Sequence, residues 1–345
     1  MARSDISTTV VPFQAGDGFA CNLLHLKGPN PPTKGPVVLV HGAGVRANLF
    51  RPPTDVTLPE MLIDEGYDVW LENWRASIDL HPNHWTLDQA AVFDHPYAIQ
   101  KIVEQTGSDE VKAVIHCQGS TSFMMSAVAG LVPQVKTIVS NAVALHPIVP
   151  AVTSVKITTA VPMLKRLTDY LNPQWTVNAP TPVAKTVAAM IALIHHECNN
   201  PVCKGVSFVY GTGFPALWSH ANLNDETHAW ISQEFAQVPI AFFEQIVKCI
   251  HAGHLVGVEN RPELPKDFVA QPPRTDARFA FFAGLNNLCF TPESQHQTFE
   301  YFDKQKPGYH SYRPIANYGH LDIFIGKNAA HDVFPIILEE LAKPA

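Results

Sequence analysis

Short apolar runs recur along the chain, and most of the longer segments between them have the apolar spacing of amphipathic helices. Two partly apolar runs at residues 8–13 and 19–26, separated by Gly16-Asp17-Gly18, predict a β-hairpin. The fully apolar run at residues 37–40 predicts a buried strand. Further strands are predicted at residues 67–71, 111–116, 136–140, 278–283 and 309–315. The periodic segments predict helices at residues 58–65, 86–107, 292–303 and 329–341. This alternation is typical of a mostly parallel sheet with helices on both faces.

The alternation stops between residues 148 and 270. This stretch contains helix-like segments separated by prolines, and its aromatic residues are Trp175, Phe208, Tyr210, Phe214, Trp218, Trp230, Phe242 and Phe243. We therefore predict a mostly helical cap at residues 148–270. Residues 1–147 and 271–345 are then the two parts of one α/β core.

The apolar run at residues 111–116 leads directly into His116-Cys117-Gln118-Gly119 and a helix-like segment. A buried strand that turns sharply into a helix, with a nucleophile at the turn, is a nucleophile elbow. Cys117 occupies the turn, and Gly119 lies where the helix must pass close to the strand. Buried cysteines are often inert, but a helix N-terminus beside an imidazole lowers the pKa of a thiol. We predict that Cys117 is a catalytic nucleophile.

Three further polar segments follow predicted strands: residues 41–44, 286–287 and 316–322. Because the carboxyl ends of parallel strands meet at one edge of a sheet, we expect these segments to lie near Cys117. His320 is the predicted base and acid. Asn287 is the predicted residue that orients His320, with Asn286 as the neighbouring alternative.

The glycine-containing turn His41-Gly42-Ala43-Gly44 predicts half of an oxyanion hole. The backbone N–H of Ala43 would supply one donor, and the backbone N–H of Gln118 would supply the second. The predicted substrate-binding residues are Trp74, after the strand at 67–71, and Trp218 and His220, in the predicted cap.

Composition narrows the class of protein. The chain of 345 residues is 46% hydrophobic and 16% charged, with a formal net charge of −7, which indicates a globular protein with a large core. The absence of a basic run argues against a nucleic-acid partner. No apolar window is long enough to cross a bilayer, and the first residues lack a signal-peptide core, so we predict a cytoplasmic enzyme. Homo-oligomerisation is left open.

The segments at residues 37–44, 115–120, 284–287 and 318–322 together resemble the α/β-hydrolase superfamily. The resemblance implies the order nucleophile, acid, histidine. More narrowly, residues 116–120, 198–203, 287–293 and 319–324 resemble the hydrolase domain that accompanies some bacterial cholesterol-oxidase-like flavoproteins. The flavin domain itself is absent from the sequence, so no cofactor is predicted.

The chain departs from the family at two positions. The family normally has a serine where this chain has Cys117, and an aspartate or glutamate where it has Asn287. A thiolate and an imidazolium can form a resting pair, and a neutral amide then suffices to orient the ring. We therefore expect the two departures to compensate for one another.

Cys198 and Cys203, which follow His195-His196-Glu197, leave three interpretations open. They are a metal site, a local disulfide and a packed turn. Zinc sites usually show a second, similarly spaced pair of ligands, and none is evident along the chain, so no metal site is predicted.

The predicted function is hydrolysis of an ester, lactone or related acyl compound through a thioester on Cys117. The aromatic cap favours an apolar small-molecule acyl substrate. Because a thioester also reacts with amines and thiols, an acyltransferase or synthase is an alternative. A protein of this fold that binds its ligand without turnover is a second alternative.

Overall fold

The computed structural model describes residues 3–345. Its main sheet is built from β1 (Ser7–Gln14), β2 (Ala20–Lys27), β3 (Pro36–Val40), β4 (Asp68–Asn73), β5 (Val111–His116), β6 (Val135–Asn141), β9 (Arg278–Gly284) and β10 (Ser311–Ile315). A separate pair, β7 (Tyr170–Leu171) and β8 (Val238–Pro239), lies between β6 and β9 along the chain.

The main sheet has the strand order β1-β2-β4-β3-β5-β6-β9-β10. β1 and β2 form the predicted hairpin, and β2 pairs antiparallel with β4. From β4 to β10 every neighbouring pair is parallel. The carboxyl ends of β3, β5 and β9 therefore lie at the same edge, as the sequence predicts for the segments that follow them.

The helices match the predicted segments, with two interruptions. They are α1 (Leu58–Asp64), α2 (Leu87–Gln89), α3 (His95–Thr106), α4 (Cys117–Val128), α5 (Ala151–Leu164), α6 (Pro182–Ile194), α7 (Pro201–Tyr210), α8 (Asp225–Trp230), α9 (Ile240–Ala252), α10 (Glu293–Gln305), α11 (Asp322–Ile325), α12 (Ala329–Asp332) and α13 (Phe334–Ala342). A π-helical turn, Ala90–Asp94, separates α2 from α3 just before Pro96, and the predicted last helix is divided into α12 and α13.

β4 extends two residues beyond its predicted end, because Glu72 and Asn73 pair with the antiparallel strand β2. Both side chains are buried and satisfied. Glu72 binds His95, and Asn73 accepts a hydrogen bond from the backbone N–H of Ala47. A polar strand end can remain in the core because each polar group has a partner.

The central strand β5 and the helix α4 form the middle of the molecule. From Ala113 onward every residue of β5 is buried, and so is every residue of α4. A mostly apolar strand between two parallel neighbours and a helix of small and apolar residues suit such a buried position.

Between β6 and β9 the chain forms α5 to α9, which agrees with the helical content predicted for residues 148–270. The division of the chain into a core and a separate cap domain stays a prediction. Within residues 3–345, no helix combines the length and the apolar character needed to cross a membrane.

Candidate active site

Cys117 lies at a strained turn between β5 and α4. Its φ angle is 54°, in the left-handed region that non-glycine residues rarely adopt, and its side chain is buried. At this turn Gly42 lies close to Cys117, and Gly119 lies close to the backbone of His41. A Cβ on Gly42 would lie 2.8 Å from the Cβ of Cys117, and a Cβ on Gly119 would lie 2.1 Å from the carbonyl oxygen of His41. This is the backbone geometry of a nucleophile elbow.

Both predicted oxyanion-hole donors lie at the sulfur of Cys117. The backbone N–H groups of Gln118 and Ala43 hydrogen-bond to the thiol and act to lower its pKa. Burial is the larger effect, and the pKa of the Cys117 thiol is raised to about 12. The sulfur is therefore a neutral thiol near pH 7, in contact with two donors that could stabilise a negative charge beside it.

His320 and Asn287 meet beside the elbow, as the sequence predicts. The side-chain Nδ2 of Asn287 lies 3.2 Å from Nδ1 of His320, and both residues are buried. Asn286 is exposed. Of the two asparagines, Asn287 is the one that contacts the histidine.

The orientation of the Asn287 amide is determined by the loop that follows it. Its Oδ1 accepts hydrogen bonds from the backbone N–H groups of Cys289, at 2.9 Å, and Phe290, at 3.1 Å. Nδ2 must then donate to Nδ1 of His320, which places the proton of the neutral imidazole on Nε2. A catalytic triad uses the opposite tautomer, in which Nδ1–H donates to an oxygen and Nε2 is free to accept a proton.

The expected resting thiolate–imidazolium pair is not formed. Burial lowers the pKa of His320 to about 3, as it raises the pKa of Cys117. The donor side of Asn287 also disfavours an imidazolium, because two N–H groups would then face each other. The predicted compensation between Cys117 and Asn287 is therefore wrong for the resting state, although the residues are neighbours as predicted.

A second imidazole, which the sequence did not predict as a site residue, lies at this site. One ring nitrogen of His116, one of His320 and the sulfur of Cys117 all lie within 4.8 Å of one another. Nδ1 of His116 accepts a hydrogen bond of 2.9 Å from Nδ2 of Asn141, at the end of β6. The position of His116 directly before the nucleophile was the available signal.

An apolar cavity of about 330 Å³ opens from the site. It begins at Cys117 and Gln118. Its walls are formed by Val149, Thr153, Lys156, Ile157, Ala160, Val161, Leu164, Leu171, Met190, Ile194, Phe208, Val209, Tyr210, Phe242, Phe243, Ile246, Cys289 and Phe290. Most of these side chains come from α5 to α9, so the segment predicted as a cap supplies the cavity wall.

One amine lies in this apolar wall. Lys156 donates to the backbone carbonyls of Phe208 and Gly211, and burial lowers its pKa to about 8. Near pH 7 it still carries a charge for most of the time. This cation was missed because nothing in the sequence distinguishes it from a surface lysine on α5.

The three predicted substrate-binding residues do not line the cavity. Trp74 is fully buried in the core, where its indole N–H donates to the carbonyl of His41 at 2.9 Å. Trp218 is buried beside Gly319, and His220 contacts Cys203. Trp74 thus supports the oxyanion turn from below. Trp218 packs against the loop of His320 outside the cavity, and His220 lies with Cys203 away from the cavity lining.

Residues between β6 and β9 also contact the loops that carry Ala43 and His320. The hydroxyl of Tyr210 donates to the carbonyl of Ala43 at 3.0 Å. Asp322, two residues after His320, accepts from the backbone N–H of Ser219 at 3.0 Å and from Asn222 at 2.7 Å. The oxyanion turn and the histidine loop therefore both depend on contacts with this segment.

The loop after β4 contains a buried ion pair that does not line the cavity. Arg75 is buried and binds Asp94 at 2.7 Å and Asp17 at 3.0 Å. A buried arginine with two carboxylate partners stabilises the loop, and its paired guanidinium N–H groups are not available to bind a substrate.

The strand order, the elbow after the fifth strand and the histidine after the last strand define the α/β-hydrolase fold. Solved structures of this fold superpose over nearly the whole chain. A lipase in its open form gives a TM-score of 0.59 at 14% identity, covering 97% of this chain and 98% of that chain. An esterase from Thermogutta terrifontis gives a TM-score of 0.51 at 13% identity, covering 97% and 98%.

Among curated proteins, sterol esterase 2 of Saccharomyces cerevisiae is 26% identical over 39% of this chain and 30% of its own length. Gastric triacylglycerol lipase of Rattus norvegicus is 37% identical over 26% of each protein. The chain thus spans less than a third of the length of these relatives. No family model matches the chain.

Proposed function

We propose that the protein hydrolyses esters of apolar acyl groups, with Cys117 as the nucleophile. The observation that carries the proposal is the position of the Cys117 sulfur. It lies against the N–H groups of Ala43 and Gln118, at the inner end of a cavity with apolar walls. Support for the ester class comes from the relatives, which are named as lipases and a sterol esterase.

In the proposed reaction the Cys117 sulfur attacks the ester carbonyl, and the thiol proton moves to Nε2 of His320. The carbonyl oxygen becomes an oxyanion that accepts from Ala43 and Gln118. Removing one such donor typically costs about 10²–10³ in rate. The C–O bond then breaks, the proton passes to the leaving alcohol, and water hydrolyses the thioester.

The proton transfer requires a change at Asn287. Nε2 of His320 can accept a proton once Nδ1 carries one, and Nδ1–H then needs an oxygen partner. Asn287 offers that oxygen after a rotation of its amide, which breaks the hydrogen bonds to Cys289 and Phe290. Each bond contributes about 1 kcal/mol, so the competent arrangement is a minor one.

The cavity suggests the substrate class. A volume of about 330 Å³ with walls of Leu, Ile, Val and Phe matches an acyl chain of moderate length or a compact lipid. The amine of Lys156 adds one site for a carboxylate or a polar end group. The finer resemblance, to the hydrolase domain of cholesterol-oxidase-like proteins, stays a prediction and is compatible with such a substrate.

The donor orientation of Asn287 favours a second candidate function, which is binding of an apolar acyl ligand without turnover. A histidine held in the Nε2–H tautomer cannot take the thiol proton. The same cavity would then serve as a receptor site. Acyl transfer to an amine or thiol remains the alternative outcome for any thioester that forms.

Trapping with a p-nitrophenyl ester of a medium-chain acid separates these functions. We expect intact-protein mass spectrometry to show one added acyl group, and peptide mapping to place it on Cys117. Release of free acid from this adduct in buffer indicates a hydrolase, and faster loss with added amine indicates a transferase. Saturable binding of the ester with no adduct would overturn the proposal in favour of the receptor.

A further inference from the structure

A second cluster of cysteine and histidine side chains lies in the helical segment between β6 and β9. One ligand atom from each of Cys198, Cys203, His220 and His228 lies within 4.8 Å of all the others. Cys198 precedes α7, Cys203 lies in its first turn, His220 begins the 3₁₀ turn His220–Asn222, and His228 lies in α8. Three separate elements therefore direct nitrogen and sulfur ligands at one point.

The distances within the cluster match those of a tetrahedral metal site. The sulfur of Cys198 lies 3.5 Å from Nε2 of His228, and the sulfur of Cys203 lies 3.4 Å from Nε2 of His220. With Zn–S bonds of about 2.3 Å and Zn–N bonds of about 2.0 Å, neighbouring sulfur and nitrogen ligands of a tetrahedral zinc lie about 3.5 Å apart.

A hydrogen-bond donor also lies beside the cluster. Trp218 is 3% exposed, its indole N–H lies beside the Cys203 sulfur, and it has no other hydrogen-bond partner in the described part of the chain. That donor would be satisfied by a metal-bound thiolate.

We propose that Cys198, Cys203, His220 and His228 form a structural Zn²⁺ site. Two thiols lose their protons on binding, so that two thiolates neutralise the charge of the ion. Two sulfur and two nitrogen ligands in tetrahedral reach favour zinc over magnesium or calcium, which prefer oxygen. Four protein ligands close the coordination sphere, so the ion has a structural role and no open position for a substrate.

The site would tie the cavity wall to the histidine loop. α7 carries Cys203 at one end and the cavity residues Phe208 and Tyr210 at the other. The segment beside His220 holds the loop of His320, since the backbone carbonyl of Leu217 accepts from the N–H of Leu321 at 2.7 Å. A metal at the cluster thus fixes two elements of the active site without touching the nucleophile.

The test is the metal content of the purified chain of 345 residues. We expect about one zinc per chain after dialysis, and a Co²⁺-substituted protein with the visible spectrum of a tetrahedral cobalt–thiolate site. Removal of zinc with a chelator should lower the Tm by at least about 5 °C. A chain that binds neither ion with the stated stoichiometry would overturn the proposal.

Variants locate the metal. Cys203→Ser and His220→Asn should each lose the zinc, and His228→Cys, which keeps a zinc ligand, should retain it even if the other two fold poorly. Cys249→Ser is the matched control, since this buried cysteine lies outside the cluster. Zinc retained by Cys117→Ala excludes the His116, Cys117 and His320 group as the site, independently of any esterase activity. Zinc lost from Cys117→Ala and kept by Cys203→Ser would contradict the assignment, as would a Cys198–Cys203 disulfide found in the metal-free native protein.

Discussion

Two groups of cysteine and histidine in this protein look alike in composition and differ in chemistry. The active-site group contains one sulfur and two imidazoles, all buried, and the sulfur contacts backbone N–H groups. The group of Cys198, Cys203, His220 and His228 contains two sulfurs and two imidazoles, and three of its four residues are partly exposed. In the second group each sulfur faces an imidazole nitrogen directly.

The two groups differ in the hydrogen-bond donors and the burial that surround their sulfur atoms, and these surroundings determine their chemistry. In the candidate active site, the backbone N–H groups of Ala43 and Gln118 lie where negative charge would develop in the proposed reaction, and burial raises the pKa of the resting thiol. In the second group the sulfur of Cys198 accepts from the backbone N–H of Asn200 at 3.2 Å, each sulfur also faces an imidazole, and two thiols are available to neutralise a divalent ion. The first arrangement suits a transient charge, and the second suits a permanent one.

The largest expected effect is that of Cys117→Ala. The acyl adduct should disappear and kcat/KM for a p-nitrophenyl ester should fall at least about 10³-fold, because the attacking atom is gone. The zinc content should stay unchanged. Cys249→Ser, a buried cysteine outside both groups, serves as the control with normal values for both measurements. Normal turnover by the alanine variant would mean that another group is the nucleophile.

Asn287→Asp should raise kcat/KM by at least about tenfold. The carboxylate can keep the two backbone hydrogen bonds and still accept Nδ1–H of His320 with its second oxygen, which frees Nε2 to take the thiol proton. The reverse change in a serine protease triad costs about 10⁴ in turnover, which sets an upper limit for the gain.

Asn286→Asp is the matched control for that prediction. It adds the same charge one residue away, on an exposed side chain, and should leave kcat/KM within about twofold. Equal gains from both variants would show that the effect is general electrostatics and not the tautomer of His320.

The next effect concerns stability against acid. Unfolded chains bind a proton at His320 below pH 6.5, whereas the folded state binds it only near pH 3, where burial has placed the pKa of His320. Stability therefore falls as the pH decreases from 6.5 towards 3, with a slope of about 1.4 kcal/mol per pH unit from this residue. His320→Asn should reduce the slope of the unfolding free energy between pH 6 and 4.5 by that amount.

Urea unfolding at several pH values in this range measures the slope. His331→Asn is the control, because it removes an imidazole that is 94% exposed. A slope that is the same for His320→Asn and for the parent would mean that His320 is protonated in the folded protein.

The smallest effect concerns chain-length preference. Ile157→Trp fills part of the cavity from α5 and should lower kcat/KM for an octanoyl ester relative to an acetyl ester by about fivefold to tenfold. Each methylene excluded from an apolar site costs about 0.8 kcal/mol. Val155→Trp, on the exposed side of the same helix, should leave the ratio unchanged. A ratio that changes equally in both variants would place the acyl site elsewhere.

Much of the fold was predictable because its determinants are local. A run of apolar residues that leads into His-Cys-Gln-Gly contains the strand, the turn and the first helical residues of the elbow in one contiguous segment. The residues after three other strands could be assigned to the same edge, because parallel topology brings carboxyl ends together. Asn287 and His320 were found in this way.

The tertiary structure decided what those residues can do. Two backbone N–H groups of the following loop set the orientation of the Asn287 amide and with it the tautomer of His320, and the sequence carries no sign of this. Burial raises the pKa of the Cys117 thiol and lowers the pKa of the His320 imidazole, and both shifts disfavour the expected ion pair. The cluster of Cys198, Cys203, His220 and His228 likewise depends on folding. Its two histidines come from different elements, a 3₁₀ turn for His220 and α8 for His228. The spacing of residues along the chain predicts which side chains are neighbours within one helix or strand. Contacts between side chains of different elements depend on how those elements pack.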